Sequence, residues 1–306
     1  MKNLVLSMLA MASISVLSSC SSENDVIDEV TGGDQVEIKL NAGTIDVETK
    51  APITSLNDLV SKKIGIYAID GAIWTTTPRI NNQSSETAND GTITFDGSKK
   101  YYYPSTGDVN FYAYYPYNAS VTGPTEGDAP SVEFTITGQE DYMYATSVSG
   151  NKDAAPTTAL TFNHVLTQIQ FKVKAGTIPN DVTLTSIKVT GANDKCSMNI
   201  ANGTLGTWSS SGAAIDASVT GTPTIGEETN VGSPIMLQPE QTEFTIEVVT
   251  SMGTYSGIKI SPTGDDSKFV AGKAYNVLLT FNATEIAVKT DVTAWTLNGS
   301  GAGTVE

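Results

Sequence analysis

The chain has 306 residues, of which 33 are acidic and 17 are lysine or arginine, and its formal net charge at pH 7 is −16. This acidic balance disfavours nucleic-acid binding, which needs a basic face, and suits an exposed, soluble surface. Charged side chains are sparse while threonine, glycine, serine, alanine and valine are abundant. That composition favours β-structure with many turns over long helices.

The amino terminus has the pattern of a processing signal. Lys2 precedes an apolar run over residues 4–17, which has the length of a signal-peptide core and is shorter than the roughly 20 residues of a membrane-spanning helix. The run leads into LSSC at residues 17–20, which resembles the bacterial lipobox. We therefore expect a signal peptide over residues 1–19 and a lipid on the thiol of Cys20; the alternative is a plain secretory signal with a chance cysteine.

An acidic stretch without aromatic side chains follows the cysteine, over residues 21–35. Its composition is typical of a disordered tether. A stretch of this kind also resembles the surface-export signal of some Gram-negative anaerobes, so a spacer and an export signal both remain open. Gln35 to Leu40 (QVEIKL) then alternates as a strand does, and Ser55 to Ser61 predicts one short helical turn.

The rest of the chain alternates between apolar and polar residues in short runs, the period of half-buried strands. Representative runs are Ile64-Ile66, Ile93-Phe95, Val132-Phe134-Ile136, Ile169-Phe171-Val173, Ile187-Val189, Phe244-Ile246-Val248, Ile258-Ile260 and Val277-Leu279-Phe281. Clusters of glycine, proline, asparagine and aspartate separate the runs. The sequence therefore predicts an all-β fold of antiparallel β-sandwiches.

A polar, proline-containing stretch near residues 150–158 marks a candidate linker. We therefore expect two tandem domains, an N-terminal sandwich over residues 51–155 and a C-terminal sandwich over residues 156–306. Residues 20–50 would then form a lipid tether and a first strand. A single elongated fold is the alternative.

The residues that catalysis or metal binding requires are few. His164 is the one histidine, and its place in an alternating run favours a hydrogen-bonded packing residue over a catalyst. Cys196 has no partner if Cys20 carries a lipid, and we expect it to be a small buried residue. No nucleophile motif, zinc spacing or phosphate-binding glycine loop occurs. The sequence predicts neither an enzyme nor a bound metal or cofactor.

Residues 101–117 are unusually rich in tyrosine. Tyr112, Tyr114 and Tyr117 could form a ligand surface on which sugar rings stack. Alternation places Phe111 and Ala113 on one face of a strand, with Tyr112 and Tyr114 on the other, and this favours aromatic packing in a sandwich core.

Several short segments, in this order, resemble the fimbrillin-like family of outer-surface lipoproteins. They are KIGIYAID (63–70), YYYPSTGDVNFYAYYPY (101–117), DYMYATS (141–147), LTFNHVLTQIQFKV (160–173), FVAGKAYNVLLTF (269–281) and DVTAWTL (291–297). The resemblance implies two tandem β-sandwiches of transthyretin-like topology. It also implies a fimbrial subunit of the shaft, tip or anchor, which the lipid on Cys20 holds to the outer membrane before processing.

The resemblance further implies assembly by strand complementation. A trypsin-like protease cuts after a basic residue and frees the first strand, and a strand from another subunit fills the groove. Lys50 is the matching basic position, so cleavage would fall between Lys50 and Ala51. Two departures from the family are the lysine, where its proteases generally prefer arginine, and Pro52 just beyond the cut. A lysine in a loop that is never cut is the alternative.

The carboxyl end supplies the donor strand in shaft subunits of this family. Val292, Trp295 and Leu297 are the candidate donor residues here, and a glycine-rich tail follows them. The alternative is a final strand that is already paired within its own domain.

The sequence thus predicts a fimbrial subunit, structural or adhesive, whose partners are other fimbrial subunits and host or bacterial surface glycans or proteins, with no nucleic acid. The runner-up is a surface lipoprotein that binds glycans through aromatic residues and never polymerises.

Overall fold

The computed structural model describes residues 35–43, 55–156, 159–263 and 266–293. Within them, regular structure is almost entirely strand, with one short helix α1 (Leu56–Leu59) and one 3-10 turn (Asp96–Ser98). The strands are β1 (Lys63–Asp70), β2 (Ile80–Thr87), β3 (Ile93–Phe95), β4 (Val109–Tyr115), β5 (Ser131–Thr135), β6 (Met143–Thr146), β7 (Val148–Gly150), β8 (Thr161–His164), β9 (Thr167–Ala175), β10 (Leu184–Thr190), β11 (Lys195–Asn199), β12 (Ile215–Asp216), β13 (Thr229–Leu237), β14 (Phe244–Thr250), β15 (Gly253–Ile260), β16 (Ala274–Phe281) and β17 (Ile286–Thr293). The all-β prediction is confirmed.

The strands of the described residues form four sheets. A seven-stranded sheet has the order β3-β2-β1-β4-β6-β8, with β7 also paired to β4. Two four-stranded sheets have the orders β12-β10-β14-β15 and β13-β9-β16-β17, and β11 pairs with β5 in a ribbon. One pair differs from the predicted antiparallel pattern, because β9 and β16 run parallel. The long intervening chain, residues 176–273, supplies the crossover that a parallel pair requires.

The predicted helical turn is present as α1. The Asp58 carboxylate accepts a hydrogen bond from the backbone N–H of Ser55 at 2.9 Å, which is the reach-back bond of a capping box. Leu59 is fully buried, and its carbonyl accepts a hydrogen bond from the Thr87 hydroxyl at 2.8 Å. The turn is therefore fixed to the end of β2 just before the chain enters β1.

The buried apolar residues form two clusters. The first, called the N-terminal core, consists of Ile38, Leu40, Ala42, Leu59, Ile64, Ile66, Ala68, Ile80, Ile93, Phe95, Tyr103, Val109, Phe111, Ala113, Met143, Ala145, Val148, Leu160 and Phe162. The second, called the C-terminal core, is built mainly from buried residues between Val165 and Phe281, joined by Val132, Phe134, Ile136, Tyr142, Tyr67, Ile69, Trp74 and Tyr114.

Strands β1 and β4 contribute to both cores. In β4, Phe111 and Ala113 belong to the N-terminal core, whereas Tyr114 belongs to the C-terminal core and Tyr112 packs against it. The predicted alternation of the tyrosine-rich segment is therefore confirmed. Because successive side chains of a strand point to opposite faces, this sheet is covered on both sides along its central strands.

The predicted division at residue 155 remains a prediction. Strands from either side of that position share sheets, since β6 pairs with β8 and β5 pairs with β11. Because strands pair across residue 155, a single polar stretch does not define the boundary between the two domains.

Two buried glutamines on one face of β9 supply a matched test of burial energetics. Gln170 donates hydrogen bonds to the carbonyls of Phe171 at 2.9 Å and Val231 at 3.2 Å. The amide of Gln168, a residue 1% exposed, has no hydrogen-bond partner among the described residues. A buried polar group without a partner costs free energy that a bonded group does not.

Gln168→Leu is therefore expected to raise the free energy of unfolding by about 1 kcal/mol, whereas Gln170→Leu is expected to lower it by about 1–2 kcal/mol. Urea unfolding of the two variants beside the unaltered protein measures the difference. A Gln168→Leu loss as large as that of Gln170→Leu would contradict the assignment.

Candidate functional site

A segment before the first named strand crosses the N-terminal core. This inserted segment comprises residues 36–43. At its start, the backbone carbonyl of Val36 accepts a hydrogen bond from Tyr103 at 3.0 Å, and the N–H of Ile38 donates to the carbonyl of Tyr101 at 2.8 Å. These bonds attach the first half of the segment to residues 101–103.

The second half of the inserted segment changes partners. The carbonyl of Leu40 accepts from Ile93 at 3.0 Å, and the N–H of Ala42 donates to Gly91 at 2.8 Å. On its other edge, the segment exchanges hydrogen bonds of 2.8 and 2.9 Å with the backbone of Leu160. The segment is thus bonded on both edges, in antiparallel bridges to Tyr102 and Thr92 and a parallel bridge to Leu160.

The predicted strand over Gln35 to Leu40 therefore differs in detail from the structure. The segment makes isolated bridges at Glu37, Asn41 and Ala42 and no continuous ladder. The physical reason is the change of partner part-way along, because a ladder needs successive residues opposite one neighbouring strand.

Alternate side chains of the inserted segment complete the N-terminal core. Ile38, Leu40 and Ala42 are 2%, 3% and 5% exposed, while Lys39 and Asn41 between them face solvent. Burial of a branched aliphatic side chain contributes about 1.5–3 kcal/mol. The segment therefore contributes two large side chains and one small one, in that order, to pockets of this core.

Arg79, the one arginine of the sequence, stabilises residues 101–103, to which the first half of the segment is bonded. Its guanidinium donates to both carboxylate oxygens of Asp70, each at 2.6 Å, and to the carbonyl of Tyr102 at 3.1 Å. A bidentate pair of this kind fixes orientation as well as charge. The Glu37 carboxylate adds an exposed ion pair with Lys100 at 3.3 Å.

Most of the sequence-predicted processing residues lie outside the described residues. These are Cys20, Lys50, Ala51, Trp295 and Leu297. Val292 is described, lies opposite Tyr275 in the ladder between β17 and β16, and is 46% exposed. This part of the candidate donor strand is therefore already paired in its own sheet.

The three tyrosines predicted as a ligand surface do not share an open face. Tyr114 is fully buried, and its hydroxyl donates to Oδ1 of Asn82 at 2.7 Å. Burial raises the pKa of Tyr114 to about 12. The half-buried ring of Tyr112 packs on Trp74 with ring centroids 4.7 Å apart, and Tyr117 is also half-buried. Packing in the core accounts for Tyr114, which a ligand does not reach in this conformation.

His164 is the predicted packing residue, and its partner is an acid that sequence reasoning missed. The two side chains are 3% and 1% exposed, and Nδ1 of His164 lies 3.1 Å from Oδ1 and 2.9 Å from Oδ2 of Asp141. The pair lies where the chain passes between the cores, because Phe162 belongs to the N-terminal core and Val165 to the C-terminal core. No local signal links Asp141 to a histidine 23 residues away.

Cys196 is buried in β11 as predicted, at 3% exposure. Its thiol donates to the carbonyls of Ser197 and Gly206 at 3.4 and 3.5 Å, and burial raises the pKa of the thiol. The thiolate is the reactive form.

In a Cys20→Ser chain, which leaves one thiol, we expect a maleimide to label the folded protein at least about a hundredfold more slowly than the urea-unfolded protein. Comparable rates in the two states would contradict burial of Cys196.

The described residues lack two features. They include no group of three or more histidine, cysteine, aspartate or glutamate side chains arranged to hold a metal ion. They also include no helix that is long and apolar enough to cross a membrane.

The fold is similar to that of a proposed cell adhesion protein from Bacteroides uniformis, at 20% identity and a TM-score of 0.60 over 86% of this chain and 99% of that one. A fimbrial protein from Bacteroides vulgatus is similar at 16% identity and a TM-score of 0.58, over 86% and 100%. At these identities the likeness concerns the fold alone.

No curated protein matches the sequence. A family profile described as fimbrillin-like, in contrast, matches residues 49–295, which is most of the chain. The six ordered segments that carry the resemblance in the sequence all lie in or overlap that range. The chain therefore belongs to the fimbrillin-like family.

Proposed function

We propose that this protein is a non-enzymatic subunit of a cell-surface fimbria, structural or at the tip, exported as a lipoprotein anchored to the outer membrane through Cys20. The observation that carries the proposal is the inserted segment. It fills the N-terminal core with Ile38, Leu40 and Ala42 and is bonded on both edges. Membership of the fimbrillin-like family supports the fimbrial role.

Cleavage between Lys50 and Ala51 would convert that segment into a separate peptide. Its departure would expose the N–H groups of Ile93, Tyr103 and Leu160, together with apolar pockets that had been filled. Unpaired backbone groups beside an apolar groove are the features that bind an added strand. The groove would accept an extended strand with two large apolar side chains followed by a small one.

The donor of that strand would come from the carboxyl end of another subunit. Val292 already pairs with Tyr275, which favours a donor that begins beyond β17 and includes Trp295 and Leu297. We keep the division into sandwiches over residues 51–155 and 156–306 as part of the same proposal.

The processing protease would have to cut after lysine. The chain contains one arginine, and Arg79 is tied to Asp70 and to the Tyr102 carbonyl. The residue after it, Ile80, is fully buried. An extended, accessible peptide is what a protease requires, so the Arg79–Ile80 bond is a poor site in the folded chain.

Amino-terminal sequencing and intact mass of protein sheared from the cell surface test this proposal. The expected start is Ala51, with multimers that resist mild denaturant, and Lys50→Gln should abolish both. Lys39→Gln, which changes another lysine before the proposed cut, is the matched control and should leave both unchanged. Unprocessed, lipidated monomers that begin at Cys20 would overturn the proposal.

That last outcome would favour the runner-up, an anchored lipoprotein that binds glycans through aromatic side chains. We rank it second because Tyr114, at the centre of the aromatic segment, is fully buried.

A further inference from the structure

A cleft with both polar and apolar lining lies between the loop that follows β4 and the outward face of β5. Its volume is about 370 Å³, and it is lined by Asn118, Ser120, Val121, Thr122, Gly123, Thr125, Ala129, Pro130, Ser131 and Glu133. Clefts that bind small molecules begin at about 300 Å³. Neither the inserted segment nor any of the three tyrosines considered above lines the cleft.

The polar side chains of this cleft have unused hydrogen-bonding capacity. The hydroxyls of Ser120, Thr122, Thr125 and Ser131 make no hydrogen bond with another described residue, and neither does the carboxylate of Glu133. They form a dense set of donors and acceptors around one space. Val121, Ala129 and Pro130 add small apolar surfaces between them.

The loop that carries these groups is fixed by buried neighbours. The carbonyl of Asn118 accepts from the Asn82 amide at 2.9 Å, and the N–H of Asn118 donates to the Tyr114 hydroxyl at 3.1 Å. Farther along, the N–H of Gly127 donates to the carbonyl of Trp74 at 2.9 Å. A binding surface that is already held in place loses less conformational entropy when a ligand binds.

Charge restricts the class of ligand. Glu133 is the one charged residue among those that line the cleft, and no lysine or arginine lines it. An anionic sugar, sulfate or phosphate would meet a carboxylate with no compensating cation. A neutral saccharide presents hydroxyls to the polar groups and C–H faces to the apolar ones.

We propose that this cleft binds a neutral saccharide, with Glu133 accepting hydrogen bonds from sugar hydroxyls and the serine and threonine hydroxyls completing the contacts. The carboxylate provides the strongest single contact, because hydrogen bonds to a charged group exceed those between neutral groups. This site does not depend on strand exchange, so it serves an anchored protein and a polymerised subunit equally.

Titration of the ¹⁵N-labelled protein with a panel of neutral sugars, followed by amide NMR shifts, tests the proposal. The probes are the methyl glycosides of mannose, galactose and glucose, N-acetylglucosamine, lactose and chitobiose. Binding by at least one of them, with shifts concentrated over residues 118–133, is expected. Glu133→Ala should weaken that binding about tenfold.

Glu227→Ala is the control, because Glu227 is an exposed glutamate that does not line the cleft; binding should be unchanged. Three results would overturn the proposal: no shift with any neutral sugar, shifts only with spermidine or sialic acid added as charged probes, or sugar binding that Glu133→Ala leaves intact.

Discussion

Leu40→Ala is expected to lower the free energy of unfolding of the uncut chain by about 2–5 kcal/mol. Leu40 is 3% exposed at the middle of the inserted segment and packs in the N-terminal core. Truncation removes the transfer free energy of the lost methyl groups and leaves a cavity that the surrounding strands do not fully close. Chemical denaturation of full-length protein carrying the Lys50→Gln substitution, which keeps the segment attached, measures the change.

Lys39→Ala is the matched control, since Lys39 is the neighbouring residue of the same segment and faces solvent. Surface substitutions of this kind usually change stability by less than about 0.5 kcal/mol. If the two substitutions had equal effects, the segment would not be anchored by its alternate side chains. The proposed groove would then lack its apolar pockets.

The second large effect is expected at the buried pair of His164 and Asp141. Asp141→Ala should lower the free energy of unfolding by about 1–3 kcal/mol, because the buried imidazole is then left without its acceptor. Asp141 immediately precedes Tyr142 of the C-terminal core and lies two residues before Met143 of the N-terminal core. The loss should therefore also loosen the coupling between the cores.

Tryptophan fluorescence and far-ultraviolet circular dichroism, recorded through the same denaturant series, distinguish a loss of overall stability from a loss of coupling between the two cores. We expect coincident transitions in the unaltered protein and separated transitions in Asp141→Ala. Asp141→Asn keeps an acceptor oxygen and a similar volume, so it should cost less than Asp141→Ala. A loss below about 1 kcal/mol for Asp141→Ala would show that the pair is not a significant contact.

Local pattern predicted a large part of this structure. The two-residue period assigned Phe111 and Ala113 to one face of β4 and Tyr114 to the other, and the two cores use them in that way. The same period favoured a packing role for His164, and the residue type favoured burial of Cys196. The prediction succeeds because successive side chains of a half-buried strand point alternately to the core and to solvent, so the type of each residue indicates its face.

Features that depend on distant partners were not predictable in this way. The alternation at Ile38 and Leu40 indicates a buried face. It does not indicate which three stretches of the chain bond to the segment, and one of them, at Leu160, is about 120 residues away in sequence. The same holds for Asp141 opposite His164, and for the parallel pairing of β9 with β16. Each depends on tertiary contacts, which no local window contains.

That parallel pairing also has a consequence for the rate at which the chain folds. Gln168 lies beside Ala274, and Phe281 lies beside Ala175, so the ends of a very long loop must meet before either strand gains its neighbour. The entropy of closing such a loop is lost before the contacts compensate for it, and folds dominated by distant pairings take milliseconds to seconds to form. We expect closure of the sheet β13-β9-β16-β17 to be one of the slow steps of folding, so that a newly made chain stays incompletely folded for longer than one built from local hairpins.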